Sequence, residues 1–268
     1  MNWADQWREV NREHWDERVP IHAEGEFYDL EGFVAGKSSL RPFELAEVGS
    51  VAGLTLIHPQ CHMGIDTLSW AREGARVTGV DFSEPAIAMA RGLAARIGVH
   101  ADFILSDVYD SVAAVAGRQF DVVYTGLGAI NWLPDIERWA GVMTDLLAPG
   151  GRFYLAEFHP ITEVFGGEEL TAEGSYFERG PVLYDEPGTY ADLTAATTHN
   201  RTVDWIHGVG DVVSALSDAG LSVEFLHEHD YTLFPRWPFL ERSENGIYRM
   251  PPGRAKLPLM YSLRARRR

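Results

Sequence analysis

Gly74-Ala75-Arg76-Val77-Thr78-Gly79-Val80-Asp81-Phe82-Ser83 decides how this chain is read. A short run of small and β-branched residues leaves a glycine and stops at an acid. A run that is apolar along most of its length reads as a strand covered on both faces, the habit of parallel sheets. Ser83 suits the N-cap of a following helix, and Pro85 is tolerated in a first turn. That helix is expected over 83–97, with Gly98 as its stop.

The pattern repeats on both sides. Leu54-Thr55-Leu56-Ile57 is a strand, followed by a turn and a helix over 65–73 that Gly74 ends. Further strands fall at 102–105, 120–124 and 152–158, the last preceded by a helix over 134–147 and the turn Pro149-Gly150-Gly151. A helix over 210–219 then leads to strands at 221–226 and 257–263. No helix separates these two, so they pair antiparallel if they are neighbours. The expectation is an α/β fold: a doubly wound, mostly parallel seven-stranded sheet with an antiparallel last strand. Residues 1–50 form an N-terminal helical cap and 51–268 the main domain. Within it, 160–207 has no strong period and reads as a lid or insertion, and the aromatic stretch 232–254 reads as a pocket wall. In the cap, a helix over 2–18 aligns Trp3, Trp7, Val10 and His14 on one stripe with Trp15 off it, and a short helix covers 42–48.

Charge narrows the partners. The net charge is −16, and four arginines lie in the last five residues, so the body without them stands at −20. Such a surface repels phosphate backbones, which excludes nucleic acid as the expected substrate. The basic tail reads as a frayed end. No apolar run approaches the roughly 20 residues of a membrane helix, and the first residues lack the features of a secretory signal. The chain is expected in the cytoplasm, without a membrane partner. Its single cysteine, Cys61, excludes a disulfide framework and a cysteine-rich zinc site, and no metal is expected. Monomer and homo-oligomer both remain open.

In an open parallel sheet, ligands bind beyond the carboxyl ends of the strands. Asp81 stands at such an end, about 20 residues beyond the first, and its two oxygens suit the hydroxyls of a ribose. Phe82 is placed to pack on a purine face, and Asp107, after the third strand, to accept from an exocyclic amine. Thr125 ends the fourth strand and joins the candidate cofactor contacts.

Gly-Ala-Arg-Val-Thr-Gly-Val-Asp-Phe-Ser at 74–83, Phe-Asp-Val-Val-Tyr at 120–124 and Leu-Leu-Ala-Pro-Gly-Gly-Arg-Phe at 146–153 resemble consecutive motifs of class I S-adenosylmethionine-dependent methyltransferases. The likeness is to the small-molecule branch with ubiquinone and menaquinone methyltransferases, and it covers about residues 50–160. It implies a Rossmann-like methyltransferase fold and S-adenosyl-L-methionine as cofactor. Asp81 would hold the ribose, Asp107 and Val108 the adenine edge, and the loop after the first strand the methionine moiety. Methyl transfer to a small organic acceptor, on O, N or C, is the implied activity.

The first loop departs from the family. Acid-x-Gly-x-Gly-x-Gly becomes His58-Pro59-Gln60-Cys61-His62-Met63-Gly64, which keeps only the last glycine. Gln60 and His62 are expected either to take negative φ or to crowd the ligand, supplying side-chain contacts where glycine offers backbone. Cys61 reads as a small packing residue. His207 and His159 are the candidate acceptor-side bases, because histidine exchanges protons near neutrality. Trp15 and Tyr28 are expected to close over the cofactor, and Phe234, Trp237 and Phe239 to wall the acceptor pocket. Two other readings fit parts of this pattern. One is a ligand-sensing or scaffold protein on a degenerate methyltransferase fold. The other is a nicotinamide-dependent oxidoreductase, for which Gly-x-Gly-x-x-Gly is missing.

Overall fold

The computed structural model describes residues 6–243 and 246–268; Trp3 of the expected stripe lies outside them. Five parallel strands build the centre: β1 (Thr55–Pro59), β2 (Arg76–Asp81), β3 (Ala101–Leu105), β4 (Phe120–Thr125) and β5 (Leu147–Phe158). After a small hairpin, β6 (Val182–Asp185) with β7 (Arg201–Asp204), come β8 (Leu221–His229) and β9 (Met260–Arg267). The main sheet runs β8-β9-β5-β4-β1-β2-β3, and β9 is antiparallel to both neighbours. The strand order reverses between β1 and β4, so the crevice opens above their carboxyl ends. This is the expected seven-stranded sheet.

Helices cover both faces because the strands are apolar on both. They are α1 (Trp7–Glu24), α2 (Leu30–Val34), α3 (Pro42–Val48), α4 (Ile65–Arg72), α5 (Glu84–Ile97), α6 (Ile136–Leu146) and α7 (Val209–Asp218). Ser83 caps α5 by accepting from the Ala86 N–H, and Gly98 ends it in the left-handed region. Trp139 of α6 and Phe153 of β5 meet edge to face inside the largest apolar cluster.

The structure corrects the sequence reading in three places. First, α1 runs through Pro20 to Glu24, and its buried residues are Asn11, Arg18, Val19 and His22 rather than the expected apolar stripe. It is fastened by polar contacts. Asn11 Nδ2 donates to Val203 O at 2.8 Å and Asn11 Oδ1 accepts from Val203 N at 2.9 Å, in the manner of a neighbouring strand. The Arg18 guanidinium donates to the carbonyls of His199 (2.9 Å) and Gly188 (2.8 Å). Second, the arginine tail is not frayed. It forms the end of β9, where Arg264 and Arg266 both pair with Glu224 at 2.6 and 2.9 Å. Third, Trp237 and Phe239 do not wall the crevice. They stack on each other at 5.7 Å within a separate cluster containing Leu240 and Leu259, and only Phe234 of the three faces the cavity.

Replacing Asn11 by alanine strands both backbone groups of the fully buried Val203. The expected cost is about 2–3 kcal/mol, read as a lower urea midpoint at unchanged m-value.

Candidate functional site

The site is built on the turn between β1 and α4. Gln60, His62 and Gly64 all have positive φ, at 59°, 49° and 72°. The backbone therefore keeps the course that three glycines would take, and of the two alternatives it is not the negative φ that is adopted. A residue with a Cβ costs roughly 1–2 kcal/mol in this region, so the turn must be held. Asp81 holds it: Oδ2 accepts from the His62 N–H at 2.7 Å, and Oδ1 accepts from Ser83 N at 2.9 Å. A carboxylate offers about four lone-pair sites, so two remain for a ligand. Burial pushes the Asp81 carboxyl up to about 6, against the lowering effect of the Ser83 and His62 amides.

A cavity of about 140 Å³ lies beside this clamp, lined by Gln60, His62, Asp81, Phe82, Asp107 and Val108 among others. The structure thus gathers six of the expected cofactor residues from three strand ends, those of β1, β2 and β3. Trp7, Asn11 and Trp15 of α1 close it from above. Asp107 is already engaged: Oδ2 meets Arg8 Nε at 2.8 Å and Oδ1 accepts from Tyr109 N at 2.9 Å. Gln60 Nε2 donates to Ala129 O at 2.9 Å, so its side chain spans from the first loop to the segment after β4.

Three expected contacts are absent from the cavity lining, and one of them, Tyr28, lines a larger chamber beside it instead. Thr125 is fully buried, and its hydroxyl is directed to Met143 Sδ at 3.9 Å, because the strand's alternation turns it away. Gly64 packs beneath the turn. A Cβ there would lie 2.7 Å from Phe103 and 2.8 Å from Ala90, so this glycine admits the strand-to-helix packing rather than a ligand.

Two residues missed in the sequence line the cavity floor. His58, on β1 where the family has its acid, shares a hydrogen bond between Nδ1 and Thr67 Oγ1 at 2.9 Å. Burial keeps the ring neutral, lowering its pKa to about 3. Asp66, in the first turn of α4, lines both this cavity and its larger neighbour. An acid in a first helical turn ordinarily complements the helix dipole, so the sequence carried no distinct signal.

The neighbouring chamber measures about 830 Å³ and shares Trp15, Asp66, Leu127, Gly128 and Trp132 with the first cavity. Tyr28, Tyr184, Tyr190, Phe158 and Phe234 contribute aromatic surface to it. Tyr28 and Tyr190 join through their hydroxyls in its wall. The segment dividing the two cavities is fixed by Glu157, whose carboxylate accepts from the N–H groups of Gly128, Ala129 and Ile130 at 2.7, 2.9 and 3.2 Å.

Both candidate bases line the chamber, in different states. His159 has each ring nitrogen committed: Nδ1 accepts from Ile161 N at 3.1 Å and Nε2 meets Glu228 at 3.1 Å. It orients the turn after β5 and is not free to take a proton from an acceptor, which corrects the expectation. His207 donates from Nε2 to Leu133 O at 2.8 Å, leaving Nδ1 as the basic nitrogen. Burial lowers its pKa. Among the described residues, no group of three or more His, Cys, Asp or Glu is placed to hold a metal ion, and no helix is long and apolar enough to cross a membrane.

Comparison with known proteins agrees with this geometry. Residues 60–151 match the family profile described as methyltransferase domain. That segment, about a third of the chain, is similar to a methyltransferase domain. The ubiquinone biosynthesis O-methyltransferase of Escherichia coli is 30% identical over 134 residues, 48% of this chain and 55% of that protein. The chain thus spans about half the length of the curated relatives it matches. Among solved structures, an S-adenosylmethionine dependent methyltransferase from Mesorhizobium loti is similar with a TM-score of 0.58 at 22% identity, covering 87% of this chain and 100% of that one. The 1,6-didemethyltoxoflavin-N1-methyltransferase of Burkholderia thailandensis is similar at 0.55 and 16%, covering 100% and 91%. At these identities the likeness is one of fold.

Within the first turn the His62 ring packs edge-on against Trp15 at 5.3 Å and His22 at 5.3 Å, and tilted against Tyr28 at 5.6 Å. Burial lowers its pKa to about 3, with the neighbouring His22 adding to the effect. The unfolded chain therefore binds a proton on His62 below about 6.5 that the folded chain refuses until about 3. Stability from this group is present above 6.5 and is lost as pH falls through that window. His62→Phe keeps the ring packing and removes the proton. The drop in unfolding free energy between pH 7 and pH 5 should be about 2 kcal/mol smaller than in the unaltered protein, measured by urea titration at both values.

Proposed function

We propose that this protein transfers a methyl group from S-adenosyl-L-methionine to a small organic acceptor. The observation that carries the proposal is the retained left-handed course of the first turn at Gln60 and His62, clamped by Asp81. A chain without need of that backbone shape would have no reason to bear its strain. The residues present fit the donor: Asp81 has lone pairs left for ribose hydroxyls, and Phe82 and Val108 offer apolar surface to an adenine. Asp107 would take the adenine amine in place of, or together with, Arg8. Trp15 lines both cavities and Tyr28 the chamber, so α1 and the 160–207 segment act as the cover.

When bound, S-adenosylmethionine supplies a methyl on a sulfonium, whose in-line displacement discharges a cation. The protein's share is then mainly alignment, since holding two reactants in a near-attack geometry removes much of the barrier. Glu157 fixes residues 128–130, the partition along which donor and acceptor would meet. The larger chamber, walled by aromatic rings, suits a planar or apolar acceptor. His207 is placed to accept a proton from an oxygen or nitrogen acceptor through Nδ1.

A non-catalytic binder is the second reading, and the small donor end favours it. About 140 Å³ falls below the 300–1,000 Å³ usual for small-molecule sites. The adjoining chamber answers this, because it shares Trp15, Asp66, Leu127, Gly128 and Trp132 with the smaller cavity and extends the space available to a ligand.

Asp81→Ala should weaken binding of S-adenosylhomocysteine by about 1.5–3 kcal/mol, the worth of hydrogen bonds to a charged group. Calorimetry reads this directly, and unchanged affinity in a folded variant would remove Asp81 from the site. His207→Ala should lower turnover on the true acceptor while leaving that affinity near its original value. Full activity in the variant would discard the proton-accepting role.

A further inference from the structure

Position 58 is where related methyltransferases have an acid and this chain has a histidine. The cavity floor shows what takes its place. A Cβ built on Gly126, at the end of β4, would stand 3.4 Å from His58 Nε2 and 3.7 Å from Asp66 Oδ2. One small group seated above Gly126 therefore touches an imidazole nitrogen and a carboxylate oxygen together. Both side chains line the cavity, and His58 commits its other ring nitrogen, Nδ1, to Thr67 Oγ1. Ser39 and Arg41 are the groups that favour the charged form of Asp66, yet burial outweighs them and raises its pKa.

We propose that Asp66 and His58 form the seat for the α-ammonium of the donor's methionyl end, a function moved from β1 to the first turn of α4. This rests on the methyl-transfer reading. An ammonium offers three N–H donors and no acceptor. One N–H meets Asp66 Oδ2, and a second meets His58 Nε2. The neutral ring then carries its proton on Nδ1 and donates it to Thr67 Oγ1. Placement agrees with the sheet. Asp81 and Asp107 lie at the ends of β2 and β3, whereas His58, Asp66 and Gly126 cluster over β1 and β4, where the other end of the donor must fall. Gly126 is required because any side chain there would occupy the seat.

The test is calorimetric, on the full chain. S-Adenosylhomocysteine is compared with its analogue lacking the α-amino group, for the unaltered protein, Asp66→Asn and Gly126→Ala. The unaltered protein should prefer the amino-bearing ligand by roughly 10- to 100-fold, the range of charge-assisted hydrogen bonds. Asp66→Asn should lose most of that preference and leave affinity for the deaminated analogue within a few-fold. Gly126→Ala should do the same while retaining the original melting temperature, since the new methyl makes only ordinary contacts. No preference in the unaltered protein overturns the proposal, as does a preference that survives both substitutions. Equal weakening of both ligands in Asp66→Asn also overturns it. Failure of the unaltered, folded protein to bind either ligand sinks the methyl-transfer reading itself, a distinct outcome.

Discussion

The hydrogen bond from the His62 amide to Asp81 Oδ2 is the contact on which the rest of the site depends. A turn with two side-chain-bearing residues at positive φ tends to relax, and relaxation would aim its amides away from the crevice. Asp81 prevents this from the neighbouring strand, at 2.7 Å and away from bulk water, where such a bond is strong. The same carboxylate also receives Ser83 N and so fixes the start of α5. One residue thereby joins the first loop, the second strand and the second helix of the sheet into a single rigid corner. The cavity exists because that corner cannot close.

The sheet was plain in the sequence because its determinants are local. Continuous apolar runs that stop at an acid, with glycines and prolines between them, need no knowledge of distant residues, and the strand-end positions of Asp81, Phe82 and Asp107 follow from the same rule. What escaped the sequence is what depends on partners far along the chain. The attachment of α1 is carried by Asn11 and Arg18, whose acceptors lie 192 and 170 residues away, and no period along a helix reports this. Trp237 and Phe239 had the composition of a pocket wall, but a few aliphatic neighbours suffice to give them a cluster of their own. The arginines of the last strand looked surplus only because Glu224 lies on another strand.

His58 and Asp66 show a subtler gap. Each has an unremarkable explanation in its own surroundings, a strand-end histidine and a first-turn acid. Their convergence over Gly126 is a property of three elements, β1, α4 and β4, that become neighbours only in the folded sheet. His159 makes the converse point. Its place after β5 suggested chemistry, and a carboxylate on β8 together with the amide of Ile161 accounts for both nitrogens.

Trp15 borders both cavities, and its helix is tied to the β6–β7 region through Asn11 and Arg18 and to the β3 end through Arg8 and Asp107. One door therefore serves two rooms. A swing of that helix wide enough to open the smaller cavity also bares the larger one to solvent, so the two share a threshold rather than having separate passages.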